Sequence, residues 1–197
     1  SAALHDDLIF SLDIGTRTII GIVGYWDSDK FKVIASEVTE HRERAMLDGQ
    51  IHNIGLVSEA VESVKGKLEK RLGTDLKQVA IAAAGRALKT CRVKVEREID
   101  PYVEIDQKYV SSLEIEAMQK AQALLDIENR ANAYDKFYCI GYSVVNYYLN
   151  DYMITSLIGH KGNKIGAEIL ATFLPHMVID SLYSVINKVG LEVSNLT

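Results

Sequence analysis

The sequence predicts a mixed α/β (α+β) fold, in which helices cover a sheet that begins with a β-hairpin. Leu8, Phe10, Leu12 and Ile14 fall on one face of a strand, and a second apolar run at residues 19–23 follows a short polar link, as in paired strands. Between residues 57 and 68, apolar residues recur at the spacing of an amphipathic helix. Strand and helix patterns thus follow one another along the chain, which is typical of a mixed fold.

The first two strands are joined by the link Gly15-Thr16-Arg17, which follows Asp13 closely. A glycine lets backbone N–H groups approach an anion, while a hydroxyl and a carboxylate can bind phosphate oxygen and metal-bound water. The hairpin therefore predicts a phosphate-binding site. For Asp13 the alternative is a turn carboxylate that accepts hydrogen bonds from nearby N–H groups.

The composition is that of an ordinary soluble protein, since 48% of the 197 residues are hydrophobic and 25% are charged. The net charge of −5 and the scattered basic residues argue against nucleic-acid binding, which needs clustered Lys and Arg. Cys91 and Cys139 are too few for a disulfide framework, so we expect buried thiols in a reducing compartment. No apolar run reaches the roughly 20 residues of a membrane span, and no signal-peptide pattern is present, so we expect a cytosolic protein.

The first part of the chain predicts three antiparallel strands, a helix and a fourth strand. Residues 31–38 continue the alternation and complete a meander. The helix begins at Asn53 or Ser58, which are both good N-caps, and ends at Gly73. The small apolar residues 79–85 then predict a buried strand of the same sheet.

A change of pattern then marks the start of an inserted domain. Residues 90–99 alternate charged and apolar side chains, as a half-exposed strand does. Asp106 caps a second helix, and two aromatic-rich strands, residues 137–145 and 147–154, follow it. The glycine-rich residues 158–166 lack the GxxxxGK[ST] spacing of a phosphate loop, which favours a hairpin turn.

The last part of the chain predicts a strand, a helix and the beginning of another strand. Residues 167–174 are the strand, Pro175 occupies the first position of the helix, and Gly190 ends it. Residues 191–193 begin the final strand, and we expect the strand and helix alternation to continue beyond Thr197.

Other groups of residues have simpler interpretations. Lys136 is the single basic residue among the tyrosines of residues 134–152 and the net charge is −5, so a half-buried sheet or a protein interface is favoured over a base-stacking platform. The five histidines lack metal-ligand spacing, and we expect surface or core positions for them. For Arg86 and Lys89, a solvated strand end is favoured over a phosphate clamp.

With these residues in view, the chain resembles the amino-terminal half of the FtsA family, bacterial cell-division ATPases of the actin superfamily. Leu12-Asp13-Ile14-Gly15-Thr16 is similar to the family's first phosphate motif, which also occurs in DnaK-type chaperones, sugar kinases and PilM-like proteins. Further similar segments occur in the same order as in the family, at residues 44–49, 79–89, 109–121 and 182–196. The resemblance covers nearly the whole chain.

The resemblance implies an actin-like ATPase (ribonuclease H-like) subdomain with a small inserted strand-helix-strand domain. Residues 1–89 and 167–197 would form the actin-like nucleotide-binding subdomain, termed 1A in the family. Residues 90–166 would form the inserted interaction subdomain, termed 1C.

The resemblance also implies ATP and Mg²⁺ as cofactors. Asp13 would hold Mg²⁺ through water, and Gly15 and Thr16 would contact the β- and γ-phosphates. Many relatives carry a lysine at the position of Thr18, and Arg17 either replaces that charge or points to solvent. No residue is assigned a catalytic role. We expect a weak ATPase at most in the full-length protein and no activity in this chain, because the second half of the ATP site lies outside the sequence.

The partners implied by the family are further copies of the chain in filaments, and FtsZ-like and other division proteins bound through residues 90–166. Membrane attachment would come only from a carboxy-terminal segment outside this sequence, and nucleic acid is not a partner. This places the protein in the cytoplasm, peripheral to the inner face of the cell membrane, in cell division. The alternative is a PilM-like scaffold that recruits partners through the inserted domain with little or no ATP hydrolysis. A sugar-kinase lobe is a third interpretation.

Overall fold

The computed structural model describes residues 7–82, 88–129 and 136–197. It has the mixed α/β architecture that the sequence predicts. The chain divides into two compact units, the first made of Ser1–Leu88 with Met177–Thr197 and the second of Lys89–His176. The second unit therefore continues beyond residue 166, because residues 167–174 form a strand within its sheet.

Three helices and eleven strands are present in the described residues. In chain order they are β1 (Ile9–Ile14), β2 (Thr18–Asp27), β3 (Lys30–Glu40), β4 (Met46–Leu47), β5 (Gln50–Ile51), α1 (Ile54–Leu72), β6 (Gln78–Ala82), β7 (Lys89–Glu98), α2 (Gln107–Glu128), β8 (Phe137–Leu149), β9 (Tyr152–Ile154), β10 (Lys164–Pro175), α3 (His176–Lys188) and β11 (Glu192–Leu196).

The first unit contains a five-stranded sheet in the order β11-β6-β1-β2-β3. β1, β2 and β3 form the predicted antiparallel meander, in which Asp13 lies opposite Ile20 and Thr18 lies opposite Glu40. β6 joins the same sheet, as predicted, and runs parallel to β1, while β11 runs parallel to β6. Residues 83–85 of the predicted fourth strand lie outside the described residues.

Helix α1 packs closely against the meander at Gly21. A Cβ atom at Gly21 would overlap Val64 Cγ1 and would lie 3.0 Å from Leu68 Cδ1, and both of these side chains belong to α1. The missing side chain therefore creates the space that the helix fills. On the same helix, Gly66 is exposed and a Cβ there would meet nothing within 4 Å.

The helix boundaries follow the predicted capping residues. Asn53, rather than Ser58, caps α1, because its Oδ1 accepts a hydrogen bond from the Leu56 N–H at 3.0 Å. Ser58 lies inside the helix and donates its hydroxyl to the Ile54 carbonyl. Gly73 ends α1 with a left-handed φ of 67°, and Asp106 caps α2 through the Tyr109 N–H.

A small hairpin, β4 with β5, interrupts the connection between β3 and α1. Its turn residues, Asp48 and Gly49, have φ values of 50° and 78°. Two residues with positive φ are typical of a type I′ hairpin turn. The sequence did not predict these strands, because two residues are too few to show an alternation.

The second unit is a four-stranded antiparallel sheet, in the order β7-β10-β8-β9, covered by α2. The buried stripe of α2 consists of Val110, Leu113, Ala117, Ala121 and Leu125. It packs with alternate residues of β10, from Ile165 to Phe173, in one hydrophobic core. The strand-helix-strand pattern is thus built around β10, which is the only strand of this sheet paired along most of its length on both sides in the described residues.

Two strands are present as predicted, but the predicted boundary between residues 137–145 and 147–154 was wrong. One strand, β8, runs unbroken from Phe137 to Leu149, and the chain turns at Asn150 and Asp151 before the short β9. Both turn residues have positive φ, at 48° and 71°. Asn and Asp tolerate this conformation better than other non-glycine residues, so the pair marks the turn in the sequence.

The prediction of a hairpin turn at residues 158–166 was also wrong. β9 and β10 pair with opposite edges of β8, so the chain between them crosses the sheet instead of folding back on itself. This connection is held by two backbone hydrogen bonds of 2.9 Å, from Gly159 N–H to the Ile105 carbonyl and from Ile105 N–H to the His160 carbonyl.

Three smaller features also differ from the sequence predictions or add to them. Pro175 ends β10, and α3 begins one residue later at His176. Cys91 and Cys139 are half-buried thiols rather than fully buried ones. Among the described residues, no helix is both long and apolar enough to cross a membrane.

We predict opposite effects on stability for two glycine substitutions. Gly21→Ala should lower the free energy of unfolding by about 1–3 kcal/mol, because the added methyl group overpacks the contact with α1. Gly66→Ala should raise it by about 0.5–1 kcal/mol, because alanine is the better helix former and space is available. Urea denaturation of both variants measures the difference. Equal effects would contradict the close packing of α1 at Gly21.

We also predict a pH dependence of stability from Glu168. The Arg92 guanidinium, followed by the Tyr148 hydroxyl at 3.1 Å, lowers the pKa of the Glu168 carboxyl. A carboxyl whose pKa is lower in the folded state stabilises that state above its unfolded pKa of about 4.3, and this contribution disappears as the pH falls.

The measurement is urea denaturation of wild type and Glu168→Gln at pH 7 and pH 3. The variant should be less stable than wild type at pH 7, and the difference should shrink at pH 3. Glu98→Gln, at the exposed end of β7, is the matched control and should show little difference at either pH. A Glu168→Gln effect that does not change with pH would contradict the role of the ion pair.

Candidate functional site

The candidate site lies where three parallel strands end. The carboxyl ends of β1, β6 and β11 lie side by side at one end of the first unit's sheet. There the Thr197 N–H donates a hydrogen bond to the Ile81 carbonyl at 3.0 Å. Ligands of α/β sheets bind outside the carboxyl ends of such strands. β1 also continues into the link to β2, so Asp13 and the link both lie at this end of the sheet.

The link is a tight turn that glycine makes possible. The Gly15 N–H donates to the Thr18 carbonyl at 2.9 Å. A Cβ on Gly15 would lie 3.1 Å from that same oxygen, which is closer than ordinary contact. The φ angle of Gly15 is not positive, so the close approach of backbone, rather than a left-handed conformation, explains the glycine.

Asp13 presents an exposed carboxylate beside this link. In the part of the chain that the structure describes, no hydrogen bond or ion pair occupies this carboxylate. The alternative interpretation, a turn carboxylate that accepts hydrogen bonds from nearby N–H groups, is therefore not seen within the described residues. The carboxylate is available to a ligand or a hydrated cation.

Thr16 is the other unengaged residue of the link. It is exposed, and neither its amide nor its hydroxyl has a hydrogen-bond partner among residues 7–82, 88–129 and 136–197. An exposed amide beside a hydroxyl is a suitable pair of donors for a phosphate oxygen. The amide and the hydroxyl of Thr16 are thus available to bind a phosphate oxygen, as the predicted contacts require.

Arg17 and Thr18 have different surroundings. The Arg17 side chain is exposed and has no ion-pair partner within the described ranges. Thr18 opens β2 and shares a face of the sheet with Asp13, because Asp13 lies opposite Ile20 and side chains two residues apart share a face. A longer side chain at residue 18 would therefore emerge on the face of Asp13.

One residue of the site, His41, was missed by the sequence analysis. Its Nε2 lies 2.9 Å from the Gly15 carbonyl oxygen, and its backbone N–H donates to the Arg17 carbonyl at 2.9 Å. His41 follows β3 directly, and the pairing of Thr18 with Glu40 brings it to the link. Once the meander is predicted, the similar lengths of β2 and β3, 10 and 11 residues, place residue 41 opposite the link and are the signal that could have found it.

The residues present fit a phosphate group with a hydrated Mg²⁺. Mg²⁺ usually keeps several waters and takes one or two carboxylates together with phosphate oxygens, so the single carboxylate of Asp13 is sufficient. Thr16 supplies donors for the phosphate. The described residues contain no group of three or more His, Cys, Asp or Glu side chains that would bind a metal without such a ligand.

The basic residues considered for a phosphate clamp do not add to this description. Arg86 lies outside the described residues. Lys89 belongs to the second unit, where its ammonium donates to Asn129 Oδ1 at 3.3 Å and lies 4.4 Å from the centre of the Phe137 ring.

Comparison with solved structures shows an actin-like ATPase fold. The chain superposes on a protein from the PilM-PilN type IV pilus biogenesis complex with a TM-score of 0.60 and 11% identity, over 95% of this chain and 46% of the other. This chain thus spans about half the length of that protein. No protein-family model and no curated protein matches the sequence.

Two further solved structures align with smaller parts of the chain. They are the ethanolamine utilization protein EutJ from Carboxydothermus hydrogenoformans, at 27% identity over 38% of this chain and 26% of the other, and an Aquifex aeolicus Ppx/GppA family member, at 14% identity over 39% and 26%. Their TM-scores are 0.32 and 0.28, so the fold rests on the PilM-PilN alignment.

Proposed function

We propose that this chain is part of an actin-fold scaffold that binds ATP at the β1–β2 link and recruits a protein partner through its second unit. The observation that carries the proposal is the open edge of β8. The competing arrangement, implied by the resemblance to FtsA, is a filament in which a second copy of the chain is the partner in cell division. In either case we propose a position at the cytoplasmic face of the membrane.

The open edge of β8 results from the unequal lengths of β8 and β9. β8 has 13 residues and pairs along its length with β10, whereas β9 pairs only with residues 147–149. On this side, residues 137–146 have no strand partner in the described chain. Unpaired main-chain groups along a strand are a template for another strand.

The two edges of the second sheet differ in charge. β7, at one edge, carries six charged side chains, Lys89, Arg92, Lys94, Glu96, Arg97 and Glu98. β8 carries none between Phe137 and Leu149. Proteins commonly protect sheet edges with charged residues, so the absence of charge on β8 favours a partner there.

The surface beside this edge indicates what kind of segment fits. Where β9 ends, residues 144–147 and 153–155 line an open hollow of about 450 Å³. Tyr147 lines the hollow, and its hydroxyl donates to Glu114 Oε1 at 3.3 Å, so this carboxylate is one hydrogen bond away from the lining. We infer an extended segment that adds as a strand, with an apolar side chain in the hollow and a basic residue near Glu114.

The comparison with solved structures supports a scaffold in general terms. The protein on which the chain superposes was solved as part of a complex with PilN in type IV pilus biogenesis. An actin-like fold can thus support the binding of a protein partner. For this chain, recruitment of a partner is our proposal.

The nucleotide part of the proposal depends on Asp13 and the link. Asp13 would hold Mg²⁺ through water, while Thr16 would donate to a phosphate oxygen. When bound, Mg²⁺ offsets the negative charge of the polyphosphate. We assign no catalytic residue to this chain.

We predict that Asp13→Asn weakens the binding of ATP-Mg²⁺ by at least about tenfold in the full-length protein, which corresponds to about 1.4 kcal/mol. Stability should not change, because the Asp13 carboxylate is exposed and has no partner among the described residues. Isothermal titration calorimetry measures the affinity for ATP-Mg²⁺, and urea denaturation measures the stability. Asp29→Asn, in the exposed turn after β2, is the control. Equal affinity in wild type and Asp13→Asn would overturn the assignment.

We predict that the edge of β8 contacts the partner in the cell. A photocrosslinking amino acid at Tyr142, which is 40% exposed, should capture a protein other than this chain, and the same amino acid at Thr90 on β7 should not. Val145→Lys should weaken binding of the purified partner by at least about tenfold, since it places a charge on the strand edge that the partner would cover.

The matched control for Val145→Lys is Thr90→Lys, which places the same charge on the other edge of the sheet. Capture of a second copy of this chain at Tyr142 would favour the filament. Equal capture at both edges, or binding unaffected by Val145→Lys, would contradict recruitment through β8.

A further inference from the structure

We propose that His41 is a positioning residue for the phosphate-binding link. In this proposal its ring donates from Nε2 to the Gly15 carbonyl and thereby directs the Thr16 amide toward a bound phosphate. The inference rests on the proposed binding of ATP at the link. It adds a specific tautomer and a specific role for a residue outside the phosphate motif.

The tautomer follows from the partner of the ring. A carbonyl oxygen can only accept a hydrogen bond, so the Nε2 atom that lies 2.9 Å from it must carry the hydrogen. In a neutral imidazole the other nitrogen, Nδ1, then has no hydrogen. The Nδ1 of His41 is buried and has no hydrogen-bond partner among the described residues, so there is no acceptor there for a second ring N–H.

The direction of the Thr16 amide follows from the planarity of the peptide bond. In a trans peptide, the C=O of one residue and the N–H of the next point in opposite directions. Because the Gly15 carbonyl points toward the His41 ring, the Thr16 N–H points away from it. That amide is the donor which has no partner in the described chain.

A second hydrogen bond fixes the other end of the link. The His41 backbone N–H donates to the Arg17 carbonyl at 2.9 Å. His41 thus binds the carbonyls of the residues before and after Thr16, that of Gly15 through its side chain and that of Arg17 through its backbone. A substitution of the side chain removes only the first of these contacts, so the path of β3 is retained.

Two substitutions separate a positioning role from a general structural role. The amide nitrogen of glutamine reaches about as far as Nε2, so His41→Gln can still donate to the Gly15 carbonyl. Asparagine reaches only as far as Nδ1, so His41→Asn cannot. A merely structural role would depend on the filled volume, whereas positioning depends on a donor at the right reach.

The test uses the ¹⁵N-labelled full-length protein, with and without ATP-Mg²⁺. Without nucleotide, the ring ¹⁵N chemical shifts of wild-type His41 should show a protonated Nε2 and an unprotonated Nδ1. With nucleotide, the Thr16 amide signal should shift on titration in wild type and His41→Gln. In His41→Asn the affinity should fall about three- to tenfold, the effect of one hydrogen bond. Thermal denaturation shows whether each variant is folded.

The outcomes distinguish this inference from the proposed function. A ring protonated at Nδ1 in the wild type overturns the inference, and this reading needs neither a variant nor a nucleotide. Equal affinity in wild type and folded His41→Asn also overturns it, while ATP binding itself stands. If no amide of the link shifts in wild type, the proposed ATP binding fails, and the role of His41 toward phosphate fails with it.

Discussion

The position of β1 between an antiparallel and a parallel neighbour determines the site. β2 pairs with β1 through a tight link, so the chain must reverse at the end of β1, while β6 and β11 run parallel to it and end at the same edge. A hairpin turn is therefore placed at the carboxyl ends of parallel strands, where sheets bind ligands. Asp13 and Thr16 acquire their exposure from this arrangement and not from the link alone.

The meander has a second consequence, because it sets the position of His41. The ladder between β2 and β3 begins at Thr18 and Glu40, which brings residue 41 against the link. A shift of the ladder by one residue would turn the side chains of β3 to the other face of the sheet. Gly21 also belongs to β2. Because it has no side chain, Val64 and Leu68 of α1 can approach this strand. β2 therefore takes part in the packing against α1 at Gly21 and in the ladder that places His41 beside Gly15.

Local signals in the sequence predicted most of the fold. The strands β1, β2 and β3 are indicated by apolar patterns, and the helix ends by the capping residues Asn53, Gly73 and Asp106. Each of these signals lies within a few residues, so the elements were predicted correctly. The error at residues 158–166 comes from pairing between distant strands. The residues 158–166 have the composition of a turn, but whether a glycine-rich stretch closes a hairpin or crosses a sheet is decided by the partner of β10.

The candidate site was predictable only in part for the same reason. The motif around Asp13 is contiguous, so sequence reasoning could find it, and the ligands assigned to it remain predictions. His41 is 26 residues from Gly15 and approaches it only through the sheet, and the sequence offered histidines as metal ligands rather than as hydrogen-bond donors to the backbone.

The two proposed sites have one physical property in common. Nearly every backbone donor and acceptor in a folded protein has a partner, and groups without one must be exposed to water or bound by a ligand. The Thr16 amide has no partner in the described chain, and it points away from the Gly15 carbonyl that His41 holds. The β8 edge is left open because β9 ends after three residues. At both places the fold itself limits the pairing, so a phosphate at one and an added strand at the other would satisfy groups that the described chain leaves unpaired.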